Sequence, residues 1–470
     1  MNFNRREFLR RSIHTALGGA GLYTALGNLQ LVSAAARNNI GNGAPGDYKA
    51  LVCVFLFGGN DSCNTIVPYS APHYGIYQAT RPAVALSQAS IAARSLMPQA
   101  ITPGLPGGPP SDGASYGLHT AMPELRSLFN SQRAAIVGNV GTLLGPITQA
   151  QYQNGTHAAP PQLFSHDDQA NYWQTSRPED SNANGWGGRI ADLLYATNSN
   201  QQLPMTISIS GQNLFQRGAN INQYVMGASG VPPIEFLEIY QNELGVDAYN
   251  ALMAQGTQAH MFERGYASAM RRSVATYEMV NTALNAATPL TTTFSNGTLG
   301  QQLRMVAQMI NVRAALGMQR QVFYVGLGGF DTHNDQLATH ANILTDLSQS
   351  LQAFYNATVE MGLSESVTTF TASDFGRTLS TNSDGTDHGW GGHHFVVGGA
   401  VRGGRFFGAM NSLAQTNNPN DAGYGQIIPT TGVDQYAATL ASWFGVDAGG
   451  IADIFPSLPM YNTANLGFMA

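Results

Sequence analysis

The chain has 470 residues, enough for one large domain or two ordinary ones, and 43% of them are hydrophobic, so a sizeable core is available. Only 11% are charged, the net charge is −6, and no basic tract runs through the body, which argues against nucleic acid as a partner. Lys49 is the single lysine, which excludes a P-loop and leaves almost no room for Schiff-base chemistry.

At the amino terminus, "NRREFLRRS" carries paired arginines followed by an acid, Phe8 and Leu9. A Gly-rich apolar stretch, "ALGGAGLYTALGNLQLV", then leads to the small residues "SAAA". A positive segment, an apolar segment and a small-residue cleavage site in that order resemble a twin-arginine export signal, with cleavage expected near Ala34 to Ala36. Residues 1–36 are therefore read as a signal peptide and 37–470 as the folded body, periplasmic or secreted, with the twin-arginine machinery as its export partner. The rest of the chain has no apolar run of about 18 residues, so no transmembrane span is expected.

Six short apolar runs follow in the body: 50–57, 134–140, 205–210, 321–327, 366–372 and 395–401. Runs that are apolar throughout suit strands covered on both faces, as in a parallel sheet. Helical stretches are expected at 119–130, 187–197, 249–285, 299–317, 336–361 and 433–444. This alternation predicts an α/β fold, a three-layer sandwich with a mostly parallel central sheet. Turn-rich tracts at 103–115 and 176–188 interrupt the pattern without separating two self-sufficient halves, so one domain with insertions is expected. Cys53 lies in the first strand and Cys63 in the loop after it, and they are expected to remain separate thiols.

In open α/β sheets, ligands bind at the carboxyl ends of the strands. The first strand ends in "GGNDSCN", which supplies Asp61. The strand at 321–327 ends in "GGFDTHNDQ", which supplies Asp331 and His333. The strand at 366–372 ends in "SDFGRT", which supplies Asp374 and Arg377, and "GTDHGWGGHH" then adds Asp387, His388, His393 and His394. Five of the eleven histidines (His166, His333, His388, His393, His394) fall in Gly- and Asp-rich segments. A carboxylate cluster needs a counter-charge to stay ionised, and oxygen with imidazole donors suits Zn²⁺, Mn²⁺ or Mg²⁺. Taken singly, Asp61 also fits a turn or cap residue, Asp331 a helix N-cap, and His393 and His394 structural roles.

The motifs "FLFGGNDSCNTIVPY", "GLHTAMPELRSLF", "LFSHDDQANYWQT", "GWGGRIADLL", "GGFDTHNDQ", "SDFGRT" with "GTDHGWGGHHFVVGGAV", and "GVDQYAATLASWFGV" resemble the bacterial domain-of-unknown-function 1501 family, of the alkaline phosphatase and sulfatase superfamily. The resemblance implies an alkaline phosphatase-like fold with one or two divalent metals at the strand ends, a Ser, Thr or formylglycine nucleophile, and a small anionic ester as substrate. It places Asp61, Asp331, His333, Asp374 and His388 as metal ligands. Ser165 is the expected nucleophile, beside a helix N-terminus that would suit an anion, with Ser62 and Thr65 as alternatives. Arg377 is expected to clamp the developing oxyanion, with Arg189 as the other candidate. Three departures stand out. Asp374 is followed by Phe375, where the superfamily usually has histidine; Asp331 and His333 are two residues apart rather than four; and "NTI" after Cys63 does not resemble a formylglycine-forming sequence. The expected function is an exported metal-dependent hydrolase of phosphate or sulfate esters. The alternative is a non-catalytic exported binding or assembly protein on a degenerate scaffold of the same kind.

Overall fold

The computed structural model describes residues 47–231, 243–254 and 260–470, so residues 1–36, where an export signal is expected, lie outside the described residues. Thirteen strands occur among them. In chain order they are β1 (Lys49–Leu56), β2 (Ile66–Pro68), β3 (Tyr116–Leu118), β4 (Ala134–Gly141), β5 (Thr206–Ser208), β6 (Tyr224–Val225), β7 (Arg320–Leu327), β8 (Val367–Ser373), β9 (Arg377–Thr381), β10 (Thr386–His388), β11 (Gly392–Gly398), β12 (Phe406–Phe407) and β13 (Thr431–Gly432). The central sheet runs β12-β4-β11-β8-β1-β7-β5-β6, with β13 also paired to β4.

β1 is central because its sequence, KALVCVFL, can be buried on both faces. Ala50, Val52, Val54 and Leu56 join one core with the helices Pro123–Asn130, Thr298–Asn311 and Gln336–Glu360. Leu51, Cys53 and Phe55 join a second core with the helices His166–Thr175, Trp186–Leu193 and Val433–Phe444. The two-residue period of the strand therefore divides one apolar run between two helical layers. Full burial of each large apolar side chain contributes about 1.5–3 kcal/mol, more than the spread of about 1 kcal/mol in strand propensity, so burial sets the strand's place.

The sheet is mostly parallel, as the unbroken apolar runs predict. β1 pairs in parallel with β7 and β8, in the registers Leu56↔Leu327 and Leu56↔Ser373. β11 is the exception, antiparallel to both β4 and β8, and it begins at Gly392, three residues ahead of the apolar run expected at 395–401. Its first residues are the buried His393 and His394, which hide the strand's start from a reading by apolar residues alone. The helical stretch expected at 249–285 is two helices, Glu243–Met253 and Met261–Ala286. Cys53 and Cys63 are both buried and free. No helix among the described residues is long and apolar enough to cross a membrane.

Candidate metal centre

Because β7, β1 and β8 are adjacent and parallel, their carboxyl ends open onto the same edge. After β1 the chain turns through Gly58 (φ 111°) and Gly59 (φ 82°). A Cβ on Gly58 would lie 2.3 Å from the Asp331 backbone nitrogen, and one on Gly59 would lie 2.5 Å from the Phe375 ring. Only glycine permits the positive φ and the close approach together, so the three strand-end loops pack against one another.

At this edge the side chains of His166, Asp331, His333 and His388 face one another. His166 occupies the first position of the His166–Thr175 helix, Asp331 and His333 follow β7, and His388 ends β10. The hairpin register sets His388 opposite Arg377. The Nε2 atom of His388 lies 3.0 Å from Nε2 of His166 and 3.1 Å from Nε2 of His333. The Asp331 carboxylate lies 3.3 Å from His388 Nε2, 3.5 Å from His166 Nε2 and 3.0 Å from His333 Nε2. One donor atom each from His166, Asp331 and His388 falls within 4.8 Å of the others, and His333 flanks the group.

Each imidazole is held from behind. His166 Nδ1 donates to Asp374 Oδ2 at 2.7 Å, His333 Nδ1 to Asp387 Oδ1 at 3.0 Å, and His388 Nδ1 to the Phe164 carbonyl at 2.7 Å. A carbonyl can only accept, and an ionised carboxylate likewise, so the ring proton sits on Nδ1 in all three neutral rings. In the neutral rings each inward Nε2 then presents a lone pair, and lone pairs 3.0–3.1 Å apart repel unless a proton or a metal ion lies between them. Donors around an ion bonded at about 2.0–2.1 Å are spaced by roughly 3.3 Å, and the spacings among His166, Asp331 and His388 are 3.0–3.5 Å. Carboxylate or carbonyl partners behind ligating histidines are the usual support of such sites.

The electrostatics agree. The hydrogen bond and charge of Asp374 hold the His166 imidazole above its ordinary pKa, against the effect of its burial, so the site favours positive charge there. Burial and repulsion from His166 and Arg377 lower His388, although its bond to Phe164 opposes this. Burial opposes ionisation of Asp331, but Arg377, His333 and His166 together hold its carboxyl below the usual range. Phe375 packs 4.8 Å from both the His166 and His388 rings and confines them on that side.

The expected residues divide as follows. Asp331, His333 and His388 meet directly. Asp374 reaches the group through His166; its Oδ2 also accepts from Gly58 N at 3.0 Å, while its buried Oδ1 has no partner. Asp61 is not among the groups that meet. It is buried with Arg81 and Gln336, both of which donate to its Oδ2, and Gln336 in turn accepts from the Thr386 hydroxyl. Arg81 supplies that carboxylate with a counter-charge, while its buried Oδ1 has no partner among the described residues.

Arg377 is buried and spends its donors on Asp331 Oδ1 at 2.6 Å, on Gly58 O at 3.2 Å and on the hydroxyl and carbonyl of Thr386. Its guanidinium therefore holds the Asp331 carboxylate in place. Ser165 precedes the His166 helix, and its hydroxyl donates to Asp168 Oδ2 at 2.6 Å. Thr65 is buried and bonded to Asn60 and Asp61, and Ser62 is buried too. Arg189 lies at the other end of the His166 helix, where its Nη2 donates to Thr175 O at 2.5 Å. Asp331 is no helix cap, since the following helix starts at Gln336. His393 and His394 are buried, bonded to Asn139 N and Thr371.

His166 is the residue that strand-end reasoning leaves unassigned. It comes from a helix start rather than a strand end, and the available signal is its place in "LFSHDDQ" beside the expected nucleophile.

A family model described as "Protein of unknown function (DUF1501)" matches residues 48–431. No curated protein matches the chain. Among solved structures, Ps i-CgsB in complex with k-i-k-neocarrahexaose is 9% identical, with a TM-score of 0.36 over 89% of this chain and 77% of that one. The lipoteichoic acid synthase LtaP from Listeria monocytogenes is 8% identical, with a TM-score of 0.33 over 87% and 76%. PsFucS1 sulfatase from Pseudoalteromonas sp. is 10% identical, with a TM-score of 0.32 over 87% and 75%. Likeness at this level leaves the chemistry to the residues themselves.

Proposed function

The chain belongs to the DUF1501 family, and we propose that it is an exported metal-dependent hydrolase of phosphate or sulfate esters. The observation that carries this reading is the convergence of three inward imidazole lone pairs on the Asp331 carboxylate, each ring fixed from outside by a proton acceptor. His166, Asp331 and His388 would hold the ion, with His333 at its flank. Imidazole donors favour zinc over magnesium, and the Asp331 carboxylate also suits manganese. When bound, the ion would polarise the ester oxygen and lower the pKa of the attacking group.

The chain's own residues supply the rest. Ser165 is the candidate nucleophile. Asp168 already accepts its hydroxyl hydrogen bond and is placed to take the proton as Oγ attacks. The first N–H groups of the His166–Thr175 helix point toward the same end and favour an anionic ester. Arg377 holds Asp331 in position, and the Asp331 side chain is 44% exposed, so a small substrate can reach it. Export is read from "NRREFLRRS", with the periplasm or the outside of the cell as the place of action.

The test is hydrolysis of an aryl phosphate, a bis-aryl phosphate and an aryl sulfate by the mature protein, with Ser165→Ala and His388→Ala as controls. Turnover of at least one ester, lost in both variants, is the expected result. A protein that turns over none of the three is not the hydrolase proposed. Tight metal retention without turnover is instead the outcome expected of a binding or assembly protein on a degenerate scaffold, a reading favoured by Phe375 standing where a second metal's histidine would be.

A further inference from the structure

Away from the metal centre, a cavity of about 370 Å³ opens between β2, the His73–Thr80 helix, the loop around Asp112 and the segment 410–420. None of its lining residues belongs to the metal cluster. Pro68, Tyr116, Met410 and Leu413 form a buried apolar floor. Asn411 sits in that floor at 4% exposure, and neither its Nδ2 nor its Oδ1 has a hydrogen-bond partner. His73 Nδ1 is likewise buried without a partner. Asp112 stands on the exposed rim, fixed by the Ala114 amide at 3.0 Å and the Tyr116 hydroxyl at 2.6 Å.

A buried amide with both atoms unpaired is costly, and native structures pair such groups with protein, water or ligand. Among the described lining residues, the two Asn411 amide atoms and His73 Nδ1 are buried polar atoms without a protein partner. The complement of an unpaired donor and acceptor in one plane is another carboxamide, whose C=O and N–H lie side by side. A carboxylate offers acceptors only. Among the described lining residues Asp112 is the single fixed charge, and it is negative, so the cavity repels anions and receives neutral or cationic molecules. Its volume lies in the range of small-molecule sites.

We propose that this cavity is a second binding site, separate from the metal centre, for a small amide with an apolar body, such as an amino-acid amide or a single peptide unit. The carboxamide pairs with Asn411, the apolar group rests on Met410 and Leu413, and an ammonium, where present, faces Asp112. The site is independent of the hydrolase reading and stands or falls without it.

The experiment is saturation-transfer NMR with titration of the mature full-length protein by L-leucinamide, N-acetyl-L-leucinamide and L-leucine. Leucinamide is expected to bind, and leucine, whose carboxylate cannot donate to Asn411 Oδ1 and is repelled by Asp112, at least about tenfold more weakly. Asn411→Asp, which keeps the shape but removes the donor, is expected to weaken leucinamide by a similar factor. Asp112→Asn is expected to weaken leucinamide and leave N-acetyl-leucinamide unchanged, which also guards against a misfolded Asn411 variant. Equal binding of leucine and leucinamide, no loss in Asn411→Asp, or no saturation transfer from either amide would overturn the proposal.

Discussion

Asp61 and Asp374 each follow a strand beside small residues, and nothing in their local sequence separates them. Their surroundings do. Asp61 is enclosed with the Arg81 guanidinium, which comes from the end of the His73–Thr80 helix, twenty residues on. Asp374 meets an imidazole instead. Asp374→Asn is therefore expected to weaken divalent metal binding by roughly 10–100-fold, as loss of an outer-sphere carboxylate does, measured by competition with a chromogenic chelator. Asp61→Asn is expected to leave metal affinity nearly unchanged and to cost roughly 3–5 kcal/mol of stability in urea denaturation, because Arg81 would be buried without its partner. The opposite pattern would make Asp61 the ligand and Asp374 the structural residue. Which acid meets an arginine and which a histidine is decided by contacts 20 and 208 residues apart in the chain. That is why the strand-end carboxylates were legible in the sequence and their division of roles was not.

At the scale of elements, the long strands can be read within a residue or two, because both of their faces are buried. β1, β4, β7 and β8 are of this kind. β11 starts ahead of its apolar run because its first buried side chains are histidines, and the reversal of its direction leaves no mark in composition. The Val433–Phe444 helix was read with its boundaries in place, yet it carries a feature visible only in three dimensions. Asp434 in its first turn is 2% exposed, and its Oδ1 has no partner. Burial pushes its carboxyl up to about 7; Glu179 adds to the shift, while Ser176 and Arg189 oppose it.

The sign follows from proton linkage. The unfolded carboxyl titrates near about 3.9, so between roughly pH 4 and pH 7 the folded chain keeps a proton that the unfolded chain releases. The stability that this proton contributes is present in full below pH 4 and is lost as pH rises to about 7, by roughly 2–4 kcal/mol. Asp434→Asn is expected to remove this part of the slope and to be the more stable protein at pH 8. Denaturation curves at pH 5 and pH 8 that shift equally in both proteins would show that Asp434 is not held protonated.

For the whole molecule, the three-layer arrangement decides where chemistry can occur. Three neighbouring parallel strands bring Asp331, Asp374 and the Gly58–Gly59 turn to one edge, while the His166–Thr175 helix comes from the second layer to complete the group. The parallel sheet and the edge that carries the candidate site follow from apolar runs that end in glycine and aspartate. The helix that closes the site follows from packing, which places Trp173 of that helix against the sheet and so sets His166 at the opening.

The central claim is that the His166, Asp331 and His388 side chains, with His333 at their flank, form a site for one divalent cation, and elemental analysis of the protein tests it most directly. About one equivalent of zinc or manganese per chain is predicted in the native protein, falling to trace levels in both His166→Ala and His388→Ala. Native protein free of divalent metal, or variants that keep it in full, would contradict the account.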